Sequence, residues 1–337
     1  MLAFKKNAAW QAFYTASAMV IACYIALFFH FGAPYWAVIA VIVAMSNPAI
    51  RTLQLQFLLG AMVGAVCGYE LMLLIPSNVI NLIGINILVS FAVLLYFHVA
   101  KYKFFAIFFV VLFLLAFNGQ VAGPMNTYVV IMWRCTEIIV GVMVVMLLLI
   151  FIDFKALYTP PASEDDVSTG VGPDLKLRAL HALKGALSMG LAISIWLTSN
   201  IPGGLSGILT SFIVSTESSV TLLWHKAWRR LLGSAIGGSI GIISLHFIIF
   251  DLYDLLLIVF VAGAVFSYFS HLSFKHSYSA LQANVSFALA LIQAGGPTQM
   301  ISPSLLRLSG VVLGIGCALL VNLIVEFVIK PHHGQLS

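Results

Sequence analysis

Charge is what this sequence has least of. Only 8% of its 337 residues are Asp, Glu, Lys or Arg, whereas 62% are hydrophobic. About a quarter of a soluble domain is charged, and no folded interior of this size could hide so much apolar side chain. With a mean hydropathy of +1.08, the chain has lipid as its solvent. Cysteine is also scarce. Cys23, Cys67, Cys135 and Cys317 stand singly in apolar runs without metal-type spacing, so they read as small core residues rather than disulfides or zinc ligands. Catalytic motifs are absent too. There is no Ser/His/Asp grouping, P-loop or HExxH, so no enzyme, cofactor or metal is expected. Without a Walker motif an ATP-driven pump would need a separate ATPase subunit.

What is present is a series of apolar runs. Stretches of membrane-spanning length occupy 8–30, 53–75, 78–99, 103–122 and 126–152, then 178–199, 228–250, 252–272, 276–294 and 304–329. The first is too long for a signal-peptide core and no small-residue cleavage site follows it, so it is expected to be retained. Two further stretches are short: 34–48, bracketed by Pro34 and Pro48, and 205–219, after Pro202-Gly203-Gly204. Thirteen residues between two prolines make only about 20 Å of helix.

Charge placement favours counting both short stretches, for twelve crossings. Fourteen of the sixteen Lys and Arg residues then share one face, which the positive-inside rule makes cytoplasmic. The cluster Lys226, Arg229 and Arg230 belongs to that face, as do both termini. The net charge of +5 is used up in this way and predicts no nucleic-acid partner.

The two halves also repeat each other without gaps at an offset of 173 residues (58 and 231). Leu58-Leu59-Gly60 meets Leu231-Leu232-Gly233, Gly64 and Gly68 meet Gly237 and Gly241, His98 meets His271, and Gln120 meets Gln293. Gly123-Pro124 meets Gly296-Pro297, Arg134 meets Arg307 and Gly141 meets Gly314. Matches of His, Gln, Pro and Arg are rare enough here to mark a duplication. The expected fold is all-α and polytopic: a first transmembrane repeat at 1–154, a polar cytoplasmic linker at 155–177, a second repeat at 178–330 and a tail at 331–337. Six crossings per repeat give both copies one orientation, hence a pseudo-twofold axis along the membrane normal.

Arg134 and Arg307 are the sharpest candidates. Each lies about two turns inside its helix from the outer end, where a guanidinium needs water, a counter-charge or a ligand. Two readings stand: an anion site near the pseudo-axis, or structural arginines bound to carbonyls or carboxylates. Glu137, three residues after Arg134, is placed to pair with it, whereas Gly310 stands opposite and leaves Arg307 without a local partner. Glu70 and Glu137 are the candidates for proton coupling deep in the membrane, against a reading as plain buried acids. Glu217, at the inner end of the second short stretch, is either an interfacial cap or part of a polar pathway. His98 and His271 read as interfacial anchors. The glycine strips Gly60-Gly64-Gly68 and Gly233-Gly237-Gly241 read as close helix packing or as a sliding surface. Each short stretch is either a tilted span or a helix ending inside the bilayer, its N-terminus attractive to anions.

The stretch Tyr35-Trp36-Ala37-Val38-Ile39-Ala40-Val41-Ile42-Val43, followed by Leu58-Leu59-Gly60-x3-Gly64, resembles the fusaric acid resistance and aromatic acid exporter family of bacterial inner-membrane proteins. Arg229-Arg230-Leu231-Leu232-Gly233-x3-Gly237 repeats the second part. The aromatic pair has no twin, since Ile208 and Leu209 stand opposite Tyr35 and Trp36, and many members carry a soluble domain where this chain has only a linker. The resemblance implies export of aromatic or other small carboxylic acids across the inner membrane, with Trp36 joining the arginines and Glu217 at the substrate, often alongside a periplasmic adaptor. A more distant likeness is to plant malate channels, in which two six-helix subunits flank a pore. The expected function is secondary export of small organic anions; the alternatives are a passive anion channel and a membrane scaffold or accessory subunit.

Overall fold

The computed structural model describes residues 2–46, 50–76, 78–97, 102–119, 124–151, 175–199, 203–217, 219–272, 274–293 and 302–329. Most of the linker, the tail, His98, Gln120 and Gly296-Pro297 lie outside the described residues. Twelve α-helices follow in order: α1 (Leu2–Phe28), α2 (Tyr35–Met45), α3 (Ile50–Leu74), α4 (Val79–Phe97), α5 (Lys103–Phe117) and α6 (Pro124–Phe151). After the linker come α7 (Leu175–Ser199), α8 (Gly204–Val214), α9 (Val220–Phe247), α10 (Leu252–Leu272), α11 (Phe274–Leu291) and α12 (Ser302–Ile329).

Length and enclosure divide these helices into two sets. Eight of them (α1, α3, α4, α6, α7, α9, α10 and α12) are long and apolar enough to cross a membrane. They turn bulky apolar side chains outward: Ile80, Phe151 and Phe327 are each more than 80% exposed, which is tolerable only against lipid. The other four (α2, α5, α8 and α11) are shorter and enclosed on nearly every face. In α2, α5 and α8 the character is apolar nearly all round, as an interior helix requires, whereas α11 carries a polar face. The eleven residues of α2 and of α8 rise only about 16 Å.

Short polar caps make the reversals. Asn78 accepts from the Asn81 N–H at 2.7 Å to start α4, and Asp251 accepts from the Asp254 N–H at 2.9 Å to start α10. Ser219 caps α9 by accepting from the Leu222 N–H. That cap starts α9 eight residues before the apolar run expected from residue 228, so Lys226 joins Arg229 and Arg230 on the helix. Conversely, α5 stops at Phe117, where the expected run continued to residue 122.

Helix α3 packs on α5 and α9 on α11; α2 packs on α6 and α8 on α12. Between the halves, α1 lies on α10 and α4 on α7, with smaller contacts of α2 to α11 and α5 to α8. The glycine strips set the closest approaches. Gly60, Gly64 and Gly68 meet the backbone of Phe105, Phe109 and Phe113 in turn, so α3 and α5 run parallel with no room for a side chain between them. Gly233 and Gly237 do the same on α11, against Ser279 and Ala283. Close packing is what these strips provide. The gapless register shifts in the short helices: Gly141 rests on the Ala37 carbonyl, but Gly314 rests on Gly207, which is 170 residues on (207 minus 37).

Candidate functional site

The two membrane arginines lie in different surroundings. Arg134 of α6 donates to a Glu137 oxygen at 2.6 Å, across one helical turn. The other Glu137 oxygen accepts the Ala33 backbone N–H at 2.5 Å, just before α2 begins. Glu137 is fully buried, so its charge is balanced at both oxygens, by a guanidinium and by the positive end of a helix. The Arg134 guanidinium also sits 5.9 Å from the Tyr35 ring.

Arg307 of α12 has no acid beside it. Its Nε donates to Ser286 Oγ at 2.8 Å and one terminal nitrogen to Gln282 Oε1 at 3.3 Å, both on α11. It lines a cavity of about 370 Å³, together with Tyr35, Trp196, Gln293, Leu289 and the start of α8 from Gly203 to Ser206. Gly203 takes φ +85, where a side chain would collide with the Leu306 carbonyl, and no side chain caps the helix. The first N–H groups of α8 therefore face a space that also holds a guanidinium. Such a place favours an anion, and Tyr35, Trp196 and Leu289 supply apolar walls for its body.

Tyr35 stands between the arginines, against Arg134 on one side and in the Arg307 cavity on the other. The two arginines do not share that cavity. Trp36 packs into the apolar cluster around Ala40, Phe57 and Phe108 and does not line the cavity, so Tyr35 is the aromatic at this site. Glu70 lies one turn from the C-terminal end of α3 on the exposed surface, away from either arginine rather than deep in the bundle. Glu217 pairs with Lys226 at 2.6 Å, and Lys226 also donates to Thr216 Oγ1 at 2.7 Å. His271 lies in the last turn of α10, partly buried.

The sequence reading missed Arg230. It counted this residue only among the cations of the cytoplasmic face; the structure buries Arg230 to 95%, with Nε donating to Thr210 Oγ1 at 3.1 Å and a terminal nitrogen to the Tyr278 hydroxyl at 3.3 Å. Arg230 and Arg307 are near enough to repel each other. No described Asp or Glu pairs with either one. The available signal was that Arg230 already falls inside the apolar run 228–250.

Helices of this length and outward apolarity define a multi-pass membrane protein. The chain belongs to the fusaric acid resistance protein-like family, whose sequence pattern matches residues 4–148 and 190–321. No curated protein and no solved structure matches it.

Proposed function

We propose that this protein is a secondary transporter that exports small organic anions, aromatic carboxylates among them. The observation that carries the reading is the cavity at Arg307. It joins a guanidinium with only neutral partners, an uncapped helix N-terminus and apolar walls. The first half supports it, because there a carboxylate, that of Glu137, already rests between an arginine and the start of a short helix. A free carboxylate in the second-half cavity would meet the same pair of partners. Membership of the fusaric acid resistance protein-like family agrees with the reading.

The architecture proposed with it is two six-helix repeats about a pseudo-twofold axis along the membrane normal, with twelve crossings. In its support, the packings of α3 on α5, α2 on α6, α1 on α10 and α2 on α11 recur six helices on as α9 on α11, α8 on α12, α7 on α4 and α8 on α5. The parallel course of α2 with α6 and of α3 with α5 fits helices that alternate in direction, short ones included. The family pattern also falls in two segments, one in each half. Both termini would then face the cytoplasm of a bacterial inner membrane.

Purified protein in proteoliposomes tests the function. Radiolabelled phthalate, a dianion that does not cross lipid unaided, should be carried faster than in empty vesicles and accelerated by an imposed pH gradient. Flux indifferent to that gradient would replace the exporter by a passive channel. No flux above empty vesicles would leave the scaffold reading.

A further inference from the structure

Around Arg230 the second half is polar where the matching positions of the first are apolar, and the first half's own unpartnered buried amide, Gln54, stands one turn before Phe57. At the offset of 173, Arg230 stands where the first half has Phe57, and Ser234 where it has Ala61. Along α11, Tyr278, Gln282 and Ser286 occupy successive turns of one face; since Gly233 meets Ser279 where Gly60 meets Phe105, their counterparts on α5 are Phe104, Phe108 and Leu112. Phe57 closes against Phe108 with ring centroids 3.8 Å apart. In the short helices, at the register set by Gly141 and Gly314, Thr210 and Ser211 replace Ala40 and Val41. At these positions the first half presents aromatic and aliphatic side chains, and the second presents hydroxyls, an amide and a guanidinium.

Three of the second-half groups have no internal purpose to serve. The hydroxyls of Ser211, Ser215 and Ser234 are buried beyond nine-tenths and have no hydrogen-bond partner. A buried hydroxyl without a partner destabilises a fold relative to an apolar residue of the same shape. Their positions are not scattered. Ser211 follows Thr210, the partner of Arg230, and Ser234 lies one turn beyond Arg230 on α9.

The direction of this polar stripe follows from the helices. Arg307 lies five residues from the start of α12, at the cavity, and its partners Ser286 and Gln282 lie progressively nearer the start of α11. Tyr278 is one turn further in the same direction, and it binds Arg230. One turn before Arg230 on α9 is Lys226, tied to Glu217 and Thr216 where α8 ends. Three cations thus succeed one another from the cavity to the opposite end of the bundle.

We infer that the anion path runs through the second half alone, between α8, α9, α11 and α12, with Arg230 as a second anion station below the Arg307 cavity. This deepens the transport reading above and rests on it. The first half is then a closed scaffold, its arginine already satisfied by Glu137. An anion leaving Arg307 would be handed to Arg230, with the unpartnered hydroxyls of Ser211 and Ser234 completing its solvation. Stepwise cationic stations lower the barrier that a dry interior imposes on a charge.

The test compares variants of the two halves for phthalate flux per folded molecule in proteoliposomes, and for benzoate binding read from tryptophan fluorescence, Trp196 lining the cavity. Arg230→Gln should lower flux at least tenfold while benzoate affinity at the outer cavity stays within about twofold; Arg230→Lys should recover part of the flux. Phe57→Leu, at the matching place in the first half, should leave flux within about twofold. Where Arg230→Gln does not fold, Ser211→Val carries the test. Removing a merely orphaned hydroxyl should raise the melting temperature and leave flux alone, whereas removing a path residue should lower flux several-fold despite the gain in stability. Wild-type flux in folded Arg230→Gln, or in Ser211→Val, overturns the second-half path and leaves the transport reading intact. Equal losses from Phe57→Leu and Arg230→Gln overturn it in the same way. Absence of flux in the wild type overturns both.

Discussion

Glu137→Gln separates the two arginines by what their loss costs. In the wild type the Glu137 carboxylate is fully buried and contacts the Arg134 guanidinium at 2.6 Å and the Ala33 N–H at 2.5 Å. Glutamine keeps the shape and can still accept from Ala33, but it leaves the Arg134 charge uncompensated among apolar helices. Breaking a buried pair from one side costs about 3–5 kcal/mol, in line with the attraction of about 4 kcal/mol expected between unit charges a few Å apart at an effective dielectric near 20. Arg307→Gln differs. It gives up two hydrogen bonds to neutral acceptors, relieves repulsion with Arg230, and should change stability by no more than about 1–2 kcal/mol. Equilibrium unfolding in mixed detergent and SDS micelles, followed by tryptophan fluorescence, measures both. The Arg134→Gln/Glu137→Gln double variant should be more stable than the sum of the singles by about 3 kcal/mol. Additive singles, or a Glu137→Gln protein as stable as wild type, would refute the claim that this pair is a structural lock.

Helix packing gives a second contrast: Gly64→Ala and Gly237→Ala, whose new Cβ would collide with the Phe109 and Ala283 backbones, should destabilise by about 1–3 kcal/mol or more, whereas Gly84→Ala and Gly316→Ala, which meet nothing, should be neutral or stabilising by up to about 1 kcal/mol in the same unfolding assay. Orientation is read by thiol labelling in intact cells: cysteine at Asn78 or Asp251 should react with an impermeant reagent from outside and cysteine at Tyr102 should not, and the reverse pattern would invert the topology. Glu70→Gln should leave phthalate flux and its response to a pH gradient within about twofold, because Glu70 sits on the exposed side of α3; loss of the pH response alone would return it to the coupling path.

Much of the fold was legible because lipid makes the pattern coarse. An apolar run of spanning length has few outcomes other than a helix, and the glycines at every fourth position announced close backbone packing, which the structure places between α3 and α5 and between α9 and α11. The Arg134–Glu137 pair was legible for a similar reason, since residues three apart share a helix face whatever else surrounds them. What a single helix does not encode was missed. Hydropathy began the ninth span at residue 228, two turns after the helix starts at its Ser219 cap, and although that run already held Arg230, nothing in it told that the side chain turns inward. Trp36 and Tyr35 are adjacent in sequence, and the rotation of α2 against its neighbours alone decides which one meets the cavity. The three-residue slip between Ala37 and Gly207 likewise comes from how α8 docks on α12, where Gly310 and Gly314 allow backbones to touch.

The account stands most directly on phthalate flux through Arg307→Gln, normalised to folded protein in proteoliposomes. Arg307 holds the one guanidinium that lines the cavity, and its charge is offset by no described acid. The account predicts at least a tenfold loss of flux with little change in unfolding midpoint, and partial recovery in Arg307→Lys, which keeps the charge without the planar fork. Wild-type flux through well-folded Arg307→Gln would contradict it.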